Sequence, residues 1–255
     1  MSASTEGEPD RLDGQGSTSI RIPPGLGVSK NRFLAALPPE IFAALAPALQ
    51  ERPLRSGQIL HEPGARIEEI CFPYSGAVSL RHLLPEGDAL LVALLGAESA
   101  IGLGAGLAPS NAINRAAVEL PGTAAFLGAE DFAAVASRSE AVRTLIARHA
   151  DALLAQVQTT AACNVSHPAE ARICRWLLQS VDAAGTNTIA TTQEDIGDLL
   201  GVRRTTVTLI AQALKQNNVI KYQRGSITVV DTAALRAASC GCHSALQDIA
   251  QGLGR

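Results

Sequence analysis

Apolar residues change their spacing several times along this chain, and each change marks a different kind of element. From Asn31 the segment RFLAALPPEIFAALAPALQERPL carries short helical apolar patterns cut by Pro38, Pro39 and Pro47, since proline cannot continue a helix interior. Small helices are expected there. Between Leu54 and Leu127, short apolar runs alternate with Gly57, Gly64, Gly76, Gly87, Gly96, Gly102 and Gly122, the pattern of many strands joined by tight turns. An antiparallel β-roll or barrel fits it. Its clearest piece, ICFPYSGAVSLRHLLPEGDALLVALL, predicts three successive strands with turns at Ser75-Gly76 and Glu86-Gly87-Asp88.

Residues 137–167 contain neither glycine nor proline, and Val142, Ile146, Leu153, Val157 and Ala161 recur at roughly helical spacing. A helix that long would extend about 45 Å, more than a compact domain needs to cross itself. Two readings stand. Either Val142, Ile146, Leu153 and Val157 form a dimer seam, or the helix lies on its own β-domain, as the alanine-rich stripe and the polar Gln156 and Thr160 also allow. His167-Pro168 ends this helix and Ile173, Trp176 and Leu177 begin another, so a second domain starts here, with Trp176 as a core anchor.

The stretch ATTQEDIGDLLGVRRTTVTLIAQALKQNNVI, residues 190–220, holds two short amphipathic helices in close succession. Thr192 precedes Asp195 by three positions, the spacing of a capping box, and Gly201 stands where the first helix must stop. The second helix is predicted over 204–216. There Val207, Ile210, Ala211 and Leu214 make one apolar stripe, which faces the core with Ile196 and Leu200. Arg204, Thr205, Thr208 and Gln212 fall on the other side, all able to hydrogen-bond and none acidic. Such a face suits base edges in a DNA groove, while Arg203, Thr192 and Gln193 suit phosphates near helix N-termini. Ile220–Val230 reads as two short strands turning at Arg224-Gly225-Ser226, a wing whose Lys221 and Arg224 reach the backbone. Together these elements make a winged helix-turn-helix.

Charge sharpens this picture. The net formal charge is −3, but residues 1–165 carry 12 basic and 17 acidic side chains, whereas 166–239 carry 8 and 6. Arg203, Arg204, Lys215, Lys221 and Arg224 occupy a 22-residue span without an Asp or Glu. Screening confines attraction to about 8–10 Å, so a phosphate backbone responds to this local excess and not to the total. Of the 255 residues 47% are apolar and 18% charged, enough for two domains with real cores. No run of about 20 apolar residues and no signal-peptide pattern occurs, which places the chain in the cytoplasm, away from membranes. Five scattered cysteines, Cys71, Cys163, Cys174, Cys240 and Cys242, argue for reduced thiols.

The segment TTQEDIGDLLGVRRTTV, together with LHEPG, CFPYSGAVSL, the glycine-punctuated roll and the long helix in that order, resembles the Crp/Fnr superfamily of bacterial transcription regulators over residues 30–240. The resemblance implies an α+β chain. Its expected parts are a flexible tail over 1–28, a cyclic-nucleotide-binding-like sensory β-roll over 29–136 and a dimerisation helix over 137–167. A winged helix-turn-helix over 168–238 and a C-terminal tail over 239–255 complete it. It implies no enzyme, and as partners double-stranded DNA, a second copy of the chain and RNA polymerase, with no membrane. Arg204 takes the place of an arginine that pairs with guanine in many members and Thr206 that of a backbone contact. Thr205 stands where glutamate is common, which changes the base edge that can be read.

The resemblance also points to an effector pocket at Gly96 and Glu98. The Arg-Ser pair that clamps a cyclic phosphate is missing, and Arg115 is its shifted nearest counterpart. Cyclic AMP is therefore not expected, and without N-terminal cysteines neither is an iron–sulfur cluster, which leaves the effector unknown. Gly102, Gly104 and Gly106 read as turn glycines rather than a phosphate cradle, and Glu119 and Glu130 make no defensible acid/base pair. SCGCHS brings Cys240, Cys242 and His243 within four residues. These are incidental thiols of a frayed tail, or the start of a metal or redox site that lacks a fourth ligand.

Overall fold

The computed structural model describes residues 20–21 and 30–252. Strand β1 (Ile20–Arg21) precedes α1 (Arg32–Ala35) and α2 (Pro39–Leu45), the short helices that the prolines demand. The expected tail over 1–28 otherwise lies outside the described residues, and its one described piece, β1, pairs with the next strand.

The roll consists of β2 (Gln50–Leu54), β3 (Ile59–His61), β4 (Glu69–Pro73), β5 (Ala77–Leu83), β6 (Ala89–Leu95), β7 (Arg115–Leu120) and β8 (Gly122–Gly128). Two antiparallel sheets form, in the orders β1-β2-β8-β4 and β3-β7-β5-β6. The three consecutive strands anticipated from the pattern are present, yet only β5 and β6 make a hairpin. At Ser75-Gly76 the chain instead crosses from one sheet to the other. Gly76 has φ +76, and a Cβ there would collide with the Leu120 and Pro121 carbonyls, so this crossing requires glycine. Leu54, Cys71, Val78, Val118 and Phe126 fill the roll.

Helix α3 (Ala129–Ala136) leads into α4 (Glu140–Ser166), which starts three residues later than the expected 137 and spans about 40 Å. Val142 and Ile146 are buried among Phe33, Phe72 and Phe132, and Leu153 and Val157 pack against the roll interior. Gln156 donates to the Leu94 carbonyl at 3.0 Å. The four residues expected at a dimer seam therefore face this chain's own roll. Periodicity identifies an apolar face but not the neighbour that covers it. Exposed along an adjacent strip of the helix are Leu154, Ala161 and Val165, with Leu154 56% and Val165 90% accessible.

The second domain comprises α5 (Ala169–Ala184), β9 (Thr188–Ala190), α6 (Gln193–Leu200), α7 (Arg204–Gln216), β10 (Ile220–Gln223), β11 (Ser226–Val229) and α8 (Thr232–Ala238). Its sheet has the order β10-β11-β9, so the wing gains a third strand. Trp176, Ile196, Leu200, Val207 and Leu214 form its core, and that buried cluster continues without a break into Ala77, Leu91, Leu94 and Leu120 of the roll. The expected C-terminal tail is instead helix α9 (Cys242–Gly252), packed on α4 and α5, with His243 and Leu246 buried.

Candidate nucleic-acid interface, pockets and cysteine cluster

The helix-turn-helix follows from local chemistry. At the start of α6, Asp195 N–H donates to Thr192 Oγ1 at 3.1 Å and Thr192 N–H donates to Asp195 Oδ2 at 2.8 Å, the reciprocal capping box. Gly201 ends α6 at φ +61, where the left-handed backbone costs a glycine little. One further glycine is needed. A Cβ at Gly197 would stand 2.7 Å from the Val202 carbonyl oxygen, so Gly197 lets the turn fold back against α6.

Helix α7 begins at Arg204 with Arg203 as its N-cap residue, whose side chain caps nothing and is exposed. Val207, Ala211 and Leu214 are buried and Ile210 is half-buried, which turns Arg204, Thr205 and Gln212 outward. Thr206 and Thr208 are half-buried, and Thr208 Oγ1 donates to Gln193 Oε1 at 2.7 Å, tying the two helices together. The Thr192 hydroxyl is committed to Asp195. Lys221 and Arg224 are exposed on the wing.

Two further residues contribute to this surface, only one of which the helical wheel places there. Leu209 is 66% exposed on α7, four residues after Thr205 and three before Gln212, where an apolar side chain can meet a thymine methyl. Its position was available from the spacing. Glu194 lies outside the acid-free span, yet α6 carries it to 3.2 Å from Arg204 Nη1. The exposed face is thus not free of carboxylates.

In the roll, the Gly96 N–H donates to Glu98 Oε1 at 2.8 Å, and both residues line a 190 Å³ cleft shared with Gln156, Asp182 and His243. Arg115 is not there. It sits in register with Arg81 and binds Glu62 at 2.9 Å, and Arg81 in turn faces Leu91, five residues along β6 from Gly96, or about 16 Å. The shift in sequence moves the guanidinium along a strand, not into the cleft.

A larger cavity of 390 Å³ opens between the roll and α4. Its lining includes Ile101, Leu103, Ile113, Ile146 and Leu153, and its only ionisable side chains are His61 and His149. Burial lowers the pKa of His61 against the raising effect of Glu69, and burial lowers that of His149 to about 4. His149 Nε2 accepts from Ala100 N–H at 3.2 Å and lies 2.7 Å from Ser99 Oγ, so its proton resides on Nδ1. Burial thus disfavours the charged form of both rings, and among the described residues no lysine or arginine lines the cavity. Gly102, Gly104 and Gly106 border it or pack beneath it in the 3₁₀ turn Leu103–Gly106, as turn glycines.

The cysteine-rich terminus is not as expected. His243 turns away from Cys240 and Cys242 and bonds Asp182 at 2.9 Å and Arg236 at 3.2 Å. In its place the end of α4 supplies Cys163 and its C-cap residue His167, and the ligand atoms of Cys163, His167, Cys240 and Cys242 all lie within 4.8 Å of one another. Cys163 Sγ is 3.5 Å from Cys240 Sγ, and Cys242 Sγ is 3.7 Å from His167 Nδ1. Burial raises the Cys163 thiol to about 12 and also raises that of Cys242, with the Arg175 guanidinium opposing both.

Residues 171–238 match the family described as the Crp-like helix-turn-helix domain. No curated protein matches in sequence. Solved structures with the same fold include FixK2 from Bradyrhizobium japonicum, at 18% identity and TM-score 0.64 over 76% of this chain and 98% of that one. A CRP-family transcriptional regulator from Thermus thermophilus gives 18% and 0.62 over 74% and 96%. The c-di-GMP responsive regulator CLP of Xanthomonas campestris gives 16% and 0.58 over 76% and 98%. The chain thus has the fold of these Crp/Fnr-type regulators, an N-terminal β-roll followed by a Crp-like helix-turn-helix domain. No described helix is long and apolar enough to cross a membrane.

Proposed function

We propose that this chain, which carries a Crp-like helix-turn-helix domain in the Crp/Fnr fold, is a sequence-specific DNA-binding transcription regulator that works as a homodimer. The observation that carries the reading is α7. Its apolar stripe is buried while Arg204, Thr205, Leu209 and Gln212 stand exposed, flanked by Arg203 and the wing cations Lys221 and Arg224. Arg204 would read a guanine edge, Leu209 a thymine methyl, and the flanking groups would grip phosphates. Two such helices, related by a two-fold axis, would enter successive major grooves about 34 Å apart on a near-palindromic operator. RNA polymerase is the partner through which a bound regulator would act on transcription.

The homodimer rests on the free side of α4, where Leu154, Ala161 and Val165 recur at intervals of seven and four in a heptad-like stripe. The effector reading rests on the cavity beneath it. A cyclic phosphate buried among neutral, mainly apolar side chains would lose hydration without gaining a charge-assisted partner. A neutral, largely apolar ligand suits this site better than cyclic AMP.

Selection of bound sequences from a random DNA pool, with and without cell extract, tests the reading. The expected product is one two-fold symmetric motif. Binding with no sequence preference, at any salt concentration, would overturn it.

A further inference from the structure

The cluster at the end of α4 holds what a structural metal site requires. Cys163 lies in the last turn of α4, His167 is the extended residue that caps that helix, its N–H donating to the Cys163 carbonyl, and Cys240 and Cys242 stand at the entrance to α9. In a tetrahedral zinc site, bond lengths of about 2.3 Å to sulfur and 2.0 Å to nitrogen put ligand sulfurs about 3.8 Å apart, and sulfur and nitrogen about 3.5 Å apart, each within about 0.3 Å of the separations here. The Cys163–Cys240 and Cys242–His167 separations are 3.5 and 3.7 Å. An iron–sulfur cluster, which interposes several irons and sulfides, needs its ligands farther apart.

A second observation points to the same place. Arg175 is 1% exposed, and its Nε and Nη2 have no hydrogen-bond partner among the described residues. Its Nη1 donates to Gln179, and its charge acts on Cys163 and Cys242. A buried, half-satisfied guanidinium is costly unless a compensating anion is near. Three thiolates and a neutral histidine around a divalent ion carry one net negative charge, which is what Arg175 lacks.

We infer that Cys163, His167, Cys240 and Cys242 bind a single zinc-class divalent cation in a closed tetrahedral Cys₃His site. Four protein ligands leave no open position, so the ion is structural and not catalytic. Its task follows from its location. The site joins the end of α4 to the start of α9, spanning the Pro168 bend between the long helix and the DNA-reading domain, and so staples the chain's last helix across that hinge.

Cobalt(II) and zinc titrations of the full, reduced chain test this without reference to DNA, so their failure would leave the proposed regulator function standing. One equivalent of cobalt should give the intense visible bands of tetrahedral thiolate coordination, bleached by one equivalent of zinc. Cys242→Ser, at a half-buried position, and Cys163→Ser, 77 residues before Cys240 in sequence, should each lower bound zinc at least tenfold with helix content unchanged by circular dichroism. His243→Gln should not. Cobalt spectra that are octahedral, that survive Cys163→Ser, or a thiol count showing Cys163 and Cys240 already joined as a disulfide would each overturn the assignment.

Discussion

Arg204 Nη1 and Glu194 Oε2 stand 3.2 Å apart, both side chains well exposed, at the point where α7 would enter a DNA groove. An exposed ion pair of this kind is worth about 0–1 kcal/mol, so a guanine edge and nearby phosphates can outcompete Glu194. In the free chain the carboxylate restrains the guanidinium that a groove would require.

Replacing Arg204 by Ala should therefore cost about 1–3 kcal/mol of binding to a selected operator and relax one base position. Glu194→Gln should tighten binding a few-fold, most visibly at low salt, because it removes both a competitor and a negative charge. Anisotropy titrations of the double variant decide the coupling. The Glu194→Gln gain should shrink in the Arg204→Ala background, and an undiminished gain would show that the two residues act independently.

Leu154 and Val165 are exposed, while Val142 on the same helix is fully buried among the aromatic side chains of the roll. Leu154→Glu with Val165→Glu should leave monomer stability within about 0.5 kcal/mol yet dissociate a dimer seen by sedimentation. Val142→Glu should unfold the roll domain instead. If the double variant sediments like the parent chain, association uses another surface.

His149 gives stability a defined dependence on pH. Its folded pKa of about 4 lies below the ordinary 6.5, so the unfolded chain takes up a proton more readily. The contribution is complete above about pH 6.5 and is lost as pH falls toward 4, reaching about 2 kcal/mol by pH 5. His149→Gln, which can still accept from Ala100 N–H, should flatten the change in urea midpoint between pH 7 and 5 by that amount. An equal slope in both proteins would place the titration elsewhere.

The helix-turn-helix was legible in the sequence because its rules are local. The bounds of α7, the Thr192–Asp195 box and the stop at Gly201 each depend on residues a few positions apart. Glu194 escaped because its ten-residue separation from Arg204 spans a turn whose angle periodicity does not encode. Helix α4 is rich in alanine and apolar on more than one side, so its buried face could not be assigned without the phenylalanines of α1, β4 and α3. The cluster was half visible. Cys240 and Cys242 advertise themselves, but their companions lie about 75 residues upstream, and the adjacent His243 is the one that Asp182 claims.

Leu91, Leu94 and Leu120 of the roll share one buried cluster with Ile196 and Val207 of the helix-turn-helix. Swinging the helix-turn-helix domain away from the roll would wet these side chains, a loss of about 25 cal/mol for each Å² uncovered. The arrangement acts as a latch whose strength is set by its oily contact, and any ligand that were to part the two domains would have to supply at least that much from its own binding. By the same token, the roll and the helix-turn-helix domain should melt together in one cooperative transition.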